Sequence, residues 1–431
     1  MNILAVRSLA GQFFYATTLM IITPARRTAT VQEYYFSRKL REIDVMNTER
    51  LARGEDKIIS LGIGAPDRMP PADVIDALVE SARRPGNHAY QNYTGIPQLR
   101  EAFSDWYRRW YGVELDPRNE VQPLVGSKEG ILLISLAYLN PGDKVLVPDP
   151  GYPTYTSASK LAEAEIISYD LREENHWLPD FDALERMDLS GVKILWTNYP
   201  HMPTGAKATP ELFRKLVDFG RRHGILVVND NPYSFVLCDR PLSILASEGA
   251  KDVCLELNSL SKAHNMSGWR IGMVGGSAEL VAEVLKVKSQ MDSGMFKPLQ
   301  FAAIAALRSG PEWFEALNAE YARRRVAAGR IFDLLDAPYD PDSAGLFLWG
   351  NITRATKALS DGEAPEPTPA DRLSDLLLNE AGVFMTPGSI FGKNGRDYLR
   401  VSLCAPVEIL DQARDRILRY LRDRNCLICN G

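Results

Sequence analysis

Between about residues 120 and 280 the chain alternates between two textures. Short apolar runs, "KVLVPD", "EIISYD", "VKILWT", "GILVVND" and "VCLELNS", are rich in Val, Ile and Leu and too short to be helices. Among them stand amphipathic stretches such as "GSKEGILLISLAYL", entered through Gly-Ser, and "PELFRKLVDFGRRHG". Strands alternating with helices predict an α/β fold, a mostly parallel sheet with helices on both faces. In such sheets chemistry collects in the loops at the carboxyl ends of the strands.

Upstream, "VQEYYFSRKLREIDVMNTERLARG" reads as a helical arm that stops at Gly54, and "IISLGIGAPD" as a short strand running into a glycine turn. Beyond about residue 310 a long helical stretch, "PEWFEALNAEYARRRVAAGRIFDLLDA", leads to "GLFLWGNI" and "YLRVSLC", with the polar, Pro-rich "ALSDGEAPEPTPAD" as a loop between them. This α+β texture predicts a second, smaller domain. The expected division is an extension of weak order at 1–25, an arm at 26–60 joining the small domain, a large domain at 61–305 and a small domain at 306–431.

Composition narrows the reading. A chain of 431 residues calls for two domains, and a formal net charge of −5 offers no overall basic field for nucleic acid or anionic lipid. No run of eighteen uninterrupted apolar residues marks a spanning helix. The first 25 residues are moderately apolar but broken by Arg7 and Gln12, and read as an extension rather than a secretory signal. Five cysteines, an odd number, argue against a disulfide framework and for a reducing, cytoplasmic setting. The "CLIC" pair, Cys426 and Cys429, has no second pair or nearby histidine and is expected to be a frayed tail rather than a zinc site. The five histidines show no metal spacing, so no metal is expected; His201 and His264 are candidates for the site wall, with structural roles favoured.

The residues that carry chemistry follow strands. Asp230 ends "GILVVND", and Tyr233 stands three positions later. Lys262 follows "VCLELNSLS", Arg270 comes eight residues after it, Ser127 and Lys128 open a helix, and Tyr152 sits in the "DPGYP" loop. A helix entrance at Gly126, Ser127 and Lys128 offers backbone N–H groups and a positive dipole end to a phosphate, and Arg270 adds a bidentate contact. An aspartate at a strand end suits a protonated pyridine nitrogen, and a lysine in a crowded pocket suits a Schiff base. Together these describe a site for an anionic aromatic cofactor.

With these residues in view, the chain resembles the class I/II aminotransferases, pyridoxal-phosphate enzymes of fold type I, over roughly residues 30–425. "NSLSKAHNMSGWRIG" is the most specific block, and "YQNYTGIPQLR", "GSKEG", "DPGYP", "NDNPY" and "YLRVS" fall in the expected order. The resemblance implies that Lys262 carries the pyridoxal 5′-phosphate Schiff base and that Asp230 pairs with the ring nitrogen. Tyr233 would bond the ring oxygen and Tyr152 stack on the ring. Ser259, Ser127, Lys128 (through its backbone N–H) and Arg270 would cradle the phosphate. Arg400 would fork onto the substrate α-carboxylate, backed by Gly64 with Ile63 beside it. Tyr90, or its competitor Tyr93, would reach the phosphate of a neighbouring subunit, which implies a homodimer.

Three functions fit such a chain: an aminotransferase acting on an amino acid and a 2-oxo acid, a pyridoxal-phosphate β-lyase, and a cofactor-binding regulator. The regulator ranks last, because only about 30 non-basic residues precede the arm. The loop "SQMDSGMFKP" offers Met291, Met295 and Phe296 as an adaptable substrate wall, with Lys288 and Lys297 as possible partners of a second carboxylate. One letter departs from the family. In "NYPHMPTGA" Met202 stands where relatives carry an asparagine that donates to the cofactor's ring oxygen, and a thioether has no donor. Asn198, four residues earlier, is expected to turn its amide inward as the substitute.

Overall fold

The computed structural model describes residues 3–7, 13–17, 21–357 and 367–423. Cys426 and Cys429, and positions 358–366 of the Pro-rich loop, lie outside the described residues. Seven strands form the central sheet: β1 (Val121–Leu124), β2 (Lys144–Asp149), β3 (Glu165–Asp170), β4 (Val192–Thr197), β5 (Leu226–Asp230), β6 (Cys254–Ser259) and β7 (Gly272–Gly276). Their spatial order is β1-β7-β6-β5-β4-β2-β3, and β7 alone runs antiparallel to its neighbours. The expected fold is therefore present, as a large mostly parallel sheet flanked by helices.

Side-chain alternation along the strands explains the two layers of helices. Val145, Val147, Ile194, Trp196, Val228 and Leu255 face one apolar cluster, with Ile131, Ile134 and Val284 from the helices on that side. Leu146, Leu195, Val227 and Cys254 face the other, with Leu99, Phe103, Leu212 and Leu216. Because β7 is reversed, its first residues lie at the same sheet edge as the carboxyl ends of the other six strands. Arg270, two positions before β7, thus meets residues that follow β1 and β6.

The arm helix is α1 (Tyr35–Ala52), and Gly54 takes φ +74 just beyond its end, as its stop position demands. The following strand, Ile59–Ser60, pairs in parallel with Val383–Phe384. Near the N-terminus, Ile3–Arg7 pairs antiparallel with Phe13–Thr17. A three-stranded sheet orders β8 (Phe347–Asn351), β10 (Tyr398–Ser402) and β9 (Thr386–Pro387), with β10 in the middle and Arg400 opposite both Trp349 and Thr386. The tail of the Pro-rich segment is not loop. Thr368 and Asp371 cap each other reciprocally and start a helix at Pro369, a capping signal within "TPAD" that its polarity concealed.

Buried Arg324, on the long helix Pro311–Leu334, ties the segments that bear the site. It forks onto both oxygens of Asp67 at 2.7 and 3.1 Å, bonds Glu320 at 3.0 Å, and reaches the Leu403 carbonyl at 3.2 Å. One side chain thereby joins the glycine turn of residues 62–67 to the end of β10. Removing one member of a buried pair leaves an uncompensated charge. Arg324→Met is expected to cost about 3 kcal/mol in urea unfolding, the low end for such a loss because Asp67 is partly exposed; a loss under about 1 kcal/mol would show that the clamp is not structural.

Candidate active site

At the carboxyl edge of the sheet lies a cavity of about 400 Å³. Lys262, Asp230, Tyr233, Arg270, Ser259, Ser127, Lys128, Tyr152, Asn198, Arg400, Gly64 and Ile63 all line it. Tyr90 does not: it is 91% exposed.

Asp230 closes β5 inside the cavity floor. Its Oδ2 accepts the Tyr155 hydroxyl at 3.0 Å, while Oδ1 is buried without a partner. Burial pushes this carboxyl up to about 7, against the opposing effects of the Tyr155 bond and nearby Lys262. An unmatched buried acceptor is costly, and a protonated ring nitrogen is the group that would satisfy it. Tyr155 was not foreseen. It stacks on Trp196 with ring centroids 5.2 Å apart and meets Tyr152 edge-on, so the floor is an aromatic assembly. The spacing Tyr152-x-x-Tyr155 at a helix start was its signal.

A candidate anion cradle lies at the start of helix α2 (Ser127–Tyr138), where the first N–H groups have no intrahelical acceptor. Gly126 takes φ +79, and a Cβ there would fall 2.2 Å from the Arg270 guanidinium. Arg270 itself adopts φ +57, a left-handed conformation costly for a residue with a Cβ, and is held there by bonds to the Ser267 carbonyl at 2.8 Å and Ser261 Oγ at 3.3 Å. Ser259 and Ser261 are linked through their hydroxyls at 2.8 Å. Ser261, in the same Ser-x-Ser motif, joins the cradle although only Ser259 was singled out. Lys128 lies across the Tyr34 ring at 3.8 Å, so the arm closes the cavity's mouth.

Lys262 Nζ donates to the Gly64 carbonyl at 2.5 Å. Burial lowers its proton affinity; Arg400 and Arg270 act the same way, while Cys404 and Asp230 oppose them. Burial likewise pushes the Tyr233 hydroxyl far up, so it stays a donor at neutral pH.

Arg400 is buried in a cage of rings, with its guanidinium carbon 3.9 Å from the Phe347 centroid, 4.6 Å from Phe391 and 5.3 Å from Phe36. Among the described residues no carboxylate pairs with it. Burial pulls its proton affinity down, to about 10, which still leaves it charged at neutral pH. Its Nη2 donates to the Gly62 carbonyl at 2.7 Å, so Gly62, not Gly64, backs it; Gly64 serves Lys262 instead. Both glycines lie in the turn beyond the strand Ile59–Ser60, and the sequence does not say which carbonyl meets the arginine.

Two further expectations change. The Asn198 amide does not turn freely into the cavity: its Nδ2 donates to the Asp230 carbonyl, and its Oδ1 accepts the Met202 N–H at 2.8 Å. It braces the turn against β5. The loop at 289–298 lines none of this cavity. Lys288 is buried against Asp292 at 2.5 Å and Glu129 at 3.4 Å, so its charge is already matched. His201 bonds Thr204 at 2.8 Å and His264 packs between Trp106 and Phe314; neither lines the cavity. Among the described residues no group of three or more His, Cys, Asp or Glu is placed to hold a metal, and no helix is long and apolar enough to cross a membrane.

The residues present thus fit a phosphorylated pyridine aldehyde, with an unmatched acceptor, an anion cradle and a depressed lysine. Comparison with known proteins agrees. The family model for class I and II aminotransferases matches residues 56–417. An LL-diaminopimelate aminotransferase of Oleidesulfovibrio alaskensis is 42% identical over 398 residues, 92% of this chain and 98% of that protein. Another, of Aquifex aeolicus, is 39% identical over 378 residues, 87% and 94% of the two chains. Substrate-bound BacF from Bacillus subtilis is similar in structure, with a TM-score of 0.84 at 34% identity, covering 93% of this chain and 98% of that one. A single mutant of Thermus thermophilus aspartate aminotransferase gives 0.82 at 26% identity, covering 93% and 100%.

Asp230 yields a pH test on cofactor-free protein. A carboxyl raised from 3.8 to about 7 keeps its proton in the native state after the unfolded chain has lost it. Stability therefore falls as pH rises through that window, and the deficit, roughly 4 kcal/mol, persists above it. Asp230→Asn is expected to be the more stable protein at about pH 8, with the advantage shrinking towards pH 4. Urea titrations at several pH values check this; an advantage that does not vary with pH contradicts it.

Proposed function

The chain belongs to the class I and II aminotransferases, which pass an amino group from an amino acid to a 2-oxo acid with pyridoxal 5′-phosphate, and from that footing we propose which of its residues act and that LL-diaminopimelate is its donor. The observation that carries the assignment of roles is the meeting, in one buried cavity, of Lys262, the unmatched Asp230 oxygen and the unpaired Arg400.

When bound, the cofactor supplies an electron sink for the charge left at the amino acid's Cα. Arg400 holds the α-carboxylate and so fixes which face of Cα meets Lys262. Lys262, its proton affinity lowered by burial, takes a proton at Nζ and returns it nearby. Asp230 keeps the ring nitrogen protonated, oriented by Tyr155. Tyr233 donates to the ring oxygen, and Arg270, Ser127, Ser259, Ser261 and the Lys128 backbone N–H bind the phosphate. Tyr152 and Tyr155 form the wall under the ring. The arm residues Tyr34 and Phe36 cover the mouth and exclude water.

The donor proposal rests on the LL-diaminopimelate aminotransferases among the relatives and on Lys128. Among the described residues this lysine has no carboxylate partner, so the cavity wall has a cation left for a carboxylate at the far end of the donor. We also propose a homodimer in the cytoplasm. Tyr90, Met291 and Phe296 are exposed on neighbouring segments, where His88 contacts Phe296 at 5.9 Å and a side chain on Gly294 would meet the Gln91 carbonyl. Such a patch suits a second copy whose Tyr90 reaches the neighbouring phosphate.

Mixing LL-diaminopimelate with the pure protein is expected to convert the bound cofactor to its amine form, and 2-oxoglutarate to restore it; ammonia released without an acceptor would point to lyase chemistry instead. Lys262→Ala should fold, bind cofactor more weakly and lose turnover. Mixed and reassociated with Tyr90→Phe subunits, it should yield activity above either parent, because both lesions then fall in one of the two sites. Additive activity after proven exchange would refute the shared site.

A further inference from the structure

Met202 lies in a buried turn whose geometry is fixed independently of any ligand. Its N–H is held by Asn198 Oδ1 at 2.8 Å. The turn closes through His201 N–H to the Ala206 carbonyl at 2.8 Å and Gly205 N–H to the His201 carbonyl at 2.7 Å. The side chain is buried and reaches the cavity, where Arg400 Nη1 stands 3.2 Å from its sulfur. A thioether sulfur is a weak acceptor without charge.

We propose that Met202 is a positioning residue for substrate recognition, its sulfur accepting an Nη1–H of Arg400 so that the guanidinium plane is fixed while its charge stays available for the α-carboxylate. The proposal deepens the function given above and rests on Arg400 as the carboxylate site. The Gly62 carbonyl anchors Nη2 at 2.7 Å, and one anchor alone leaves the plane free to tilt about it. A second anchor at Nη1 removes that freedom. A carboxylate in this place would hold the plane equally well but would neutralise the charge; a sulfur does not. Nε has no partner, and each terminal nitrogen keeps a second N–H, so donors remain for a bidentate carboxylate. Phe36, Phe347 and Phe391 fill the space around the cation without competing for those donors. Preorganisation of this kind strengthens binding of any ligand that uses the fork and is indifferent to one that does not.

The test compares wild type, Met202→Leu, which keeps apolar bulk but loses the acceptor, and Met202→Gln, which places an amide oxygen near the sulfur's position. Calorimetry with 3-phenylpropanoate, an unreactive monocarboxylate, reads the fork without turnover. Met202→Leu is expected to weaken its binding roughly 5- to 10-fold and to raise the amino-acid KM similarly, with kcat within about twofold. Met202→Gln should recover most of the loss. Conversion of the cofactor by 1,5-diaminopentane, the proposed donor without its carboxylates, should be the same in all three proteins. Equal 3-phenylpropanoate binding in wild type and Met202→Leu, an equal loss with the diamine, no recovery in Met202→Gln, or no measurable binding to wild type would each overturn the proposal. Met202-dependent carboxylate binding in a protein that transfers no amino group would overturn only the functional reading.

Discussion

The cost of taking charge out of water governs this site. A guanidinium and a carboxylate are both buried, and neither is matched within the described protein: Arg400 has rings, a carbonyl and a sulfur for neighbours, and one oxygen of Asp230 has no partner at all. Isolated buried charges are among the most expensive features a fold can carry. On the proposed roles two ligands would complete them, a protonated ring nitrogen for the aspartate and an α-carboxylate for the arginine. The proton affinities move accordingly, up for Asp230 and down for Lys262 and Arg400.

The rest of the fold holds those charges in register. The parallel sheet brings Asp230, Asn198 and Lys262 to one edge, and its single reversed strand brings Arg270 to the same edge. Arg400 arrives on the other sheet. The glycine turn spans the two, since the Gly62 carbonyl meets Arg400 and the Gly64 carbonyl meets Lys262. Arg324 fastens that turn to β10 through Asp67 and Leu403. Displacing the turn would disturb the amine and the carboxylate fork together.

Much of this was legible in the sequence, because strand ends and helix starts carry local signals. Alternating texture located the sheet, Asp230, Lys262 and Arg270 stood out by their places after strands, and Arg400 came from the resemblance that "YLRVS" helps to carry. What escaped depends on contacts between distant segments. Tyr155 is an ordinary helix residue until β5 places Asp230 beside it. Gly62 and Gly64 are equivalent letters of one turn until Arg400 meets the first carbonyl and Lys262 the second. Asn198 lines the cavity, but that its amide also braces the turn, on the Asp230 carbonyl and the Met202 N–H, could not be read from the sequence. The loop at 289–298 has the composition of a substrate wall, yet none of its residues lines this cavity.

The central claim, that the site is built around unmatched charge awaiting a ligand, is tested most directly by replacing Arg400 with methionine and measuring both stability and binding. The account predicts that Arg400→Met, without substrate, is at least as stable to urea as wild type, because an unpaired buried cation has been removed, and that its affinity for the amino-acid donor falls by about a hundredfold or more. A variant markedly less stable than wild type that still binds the donor normally would contradict it.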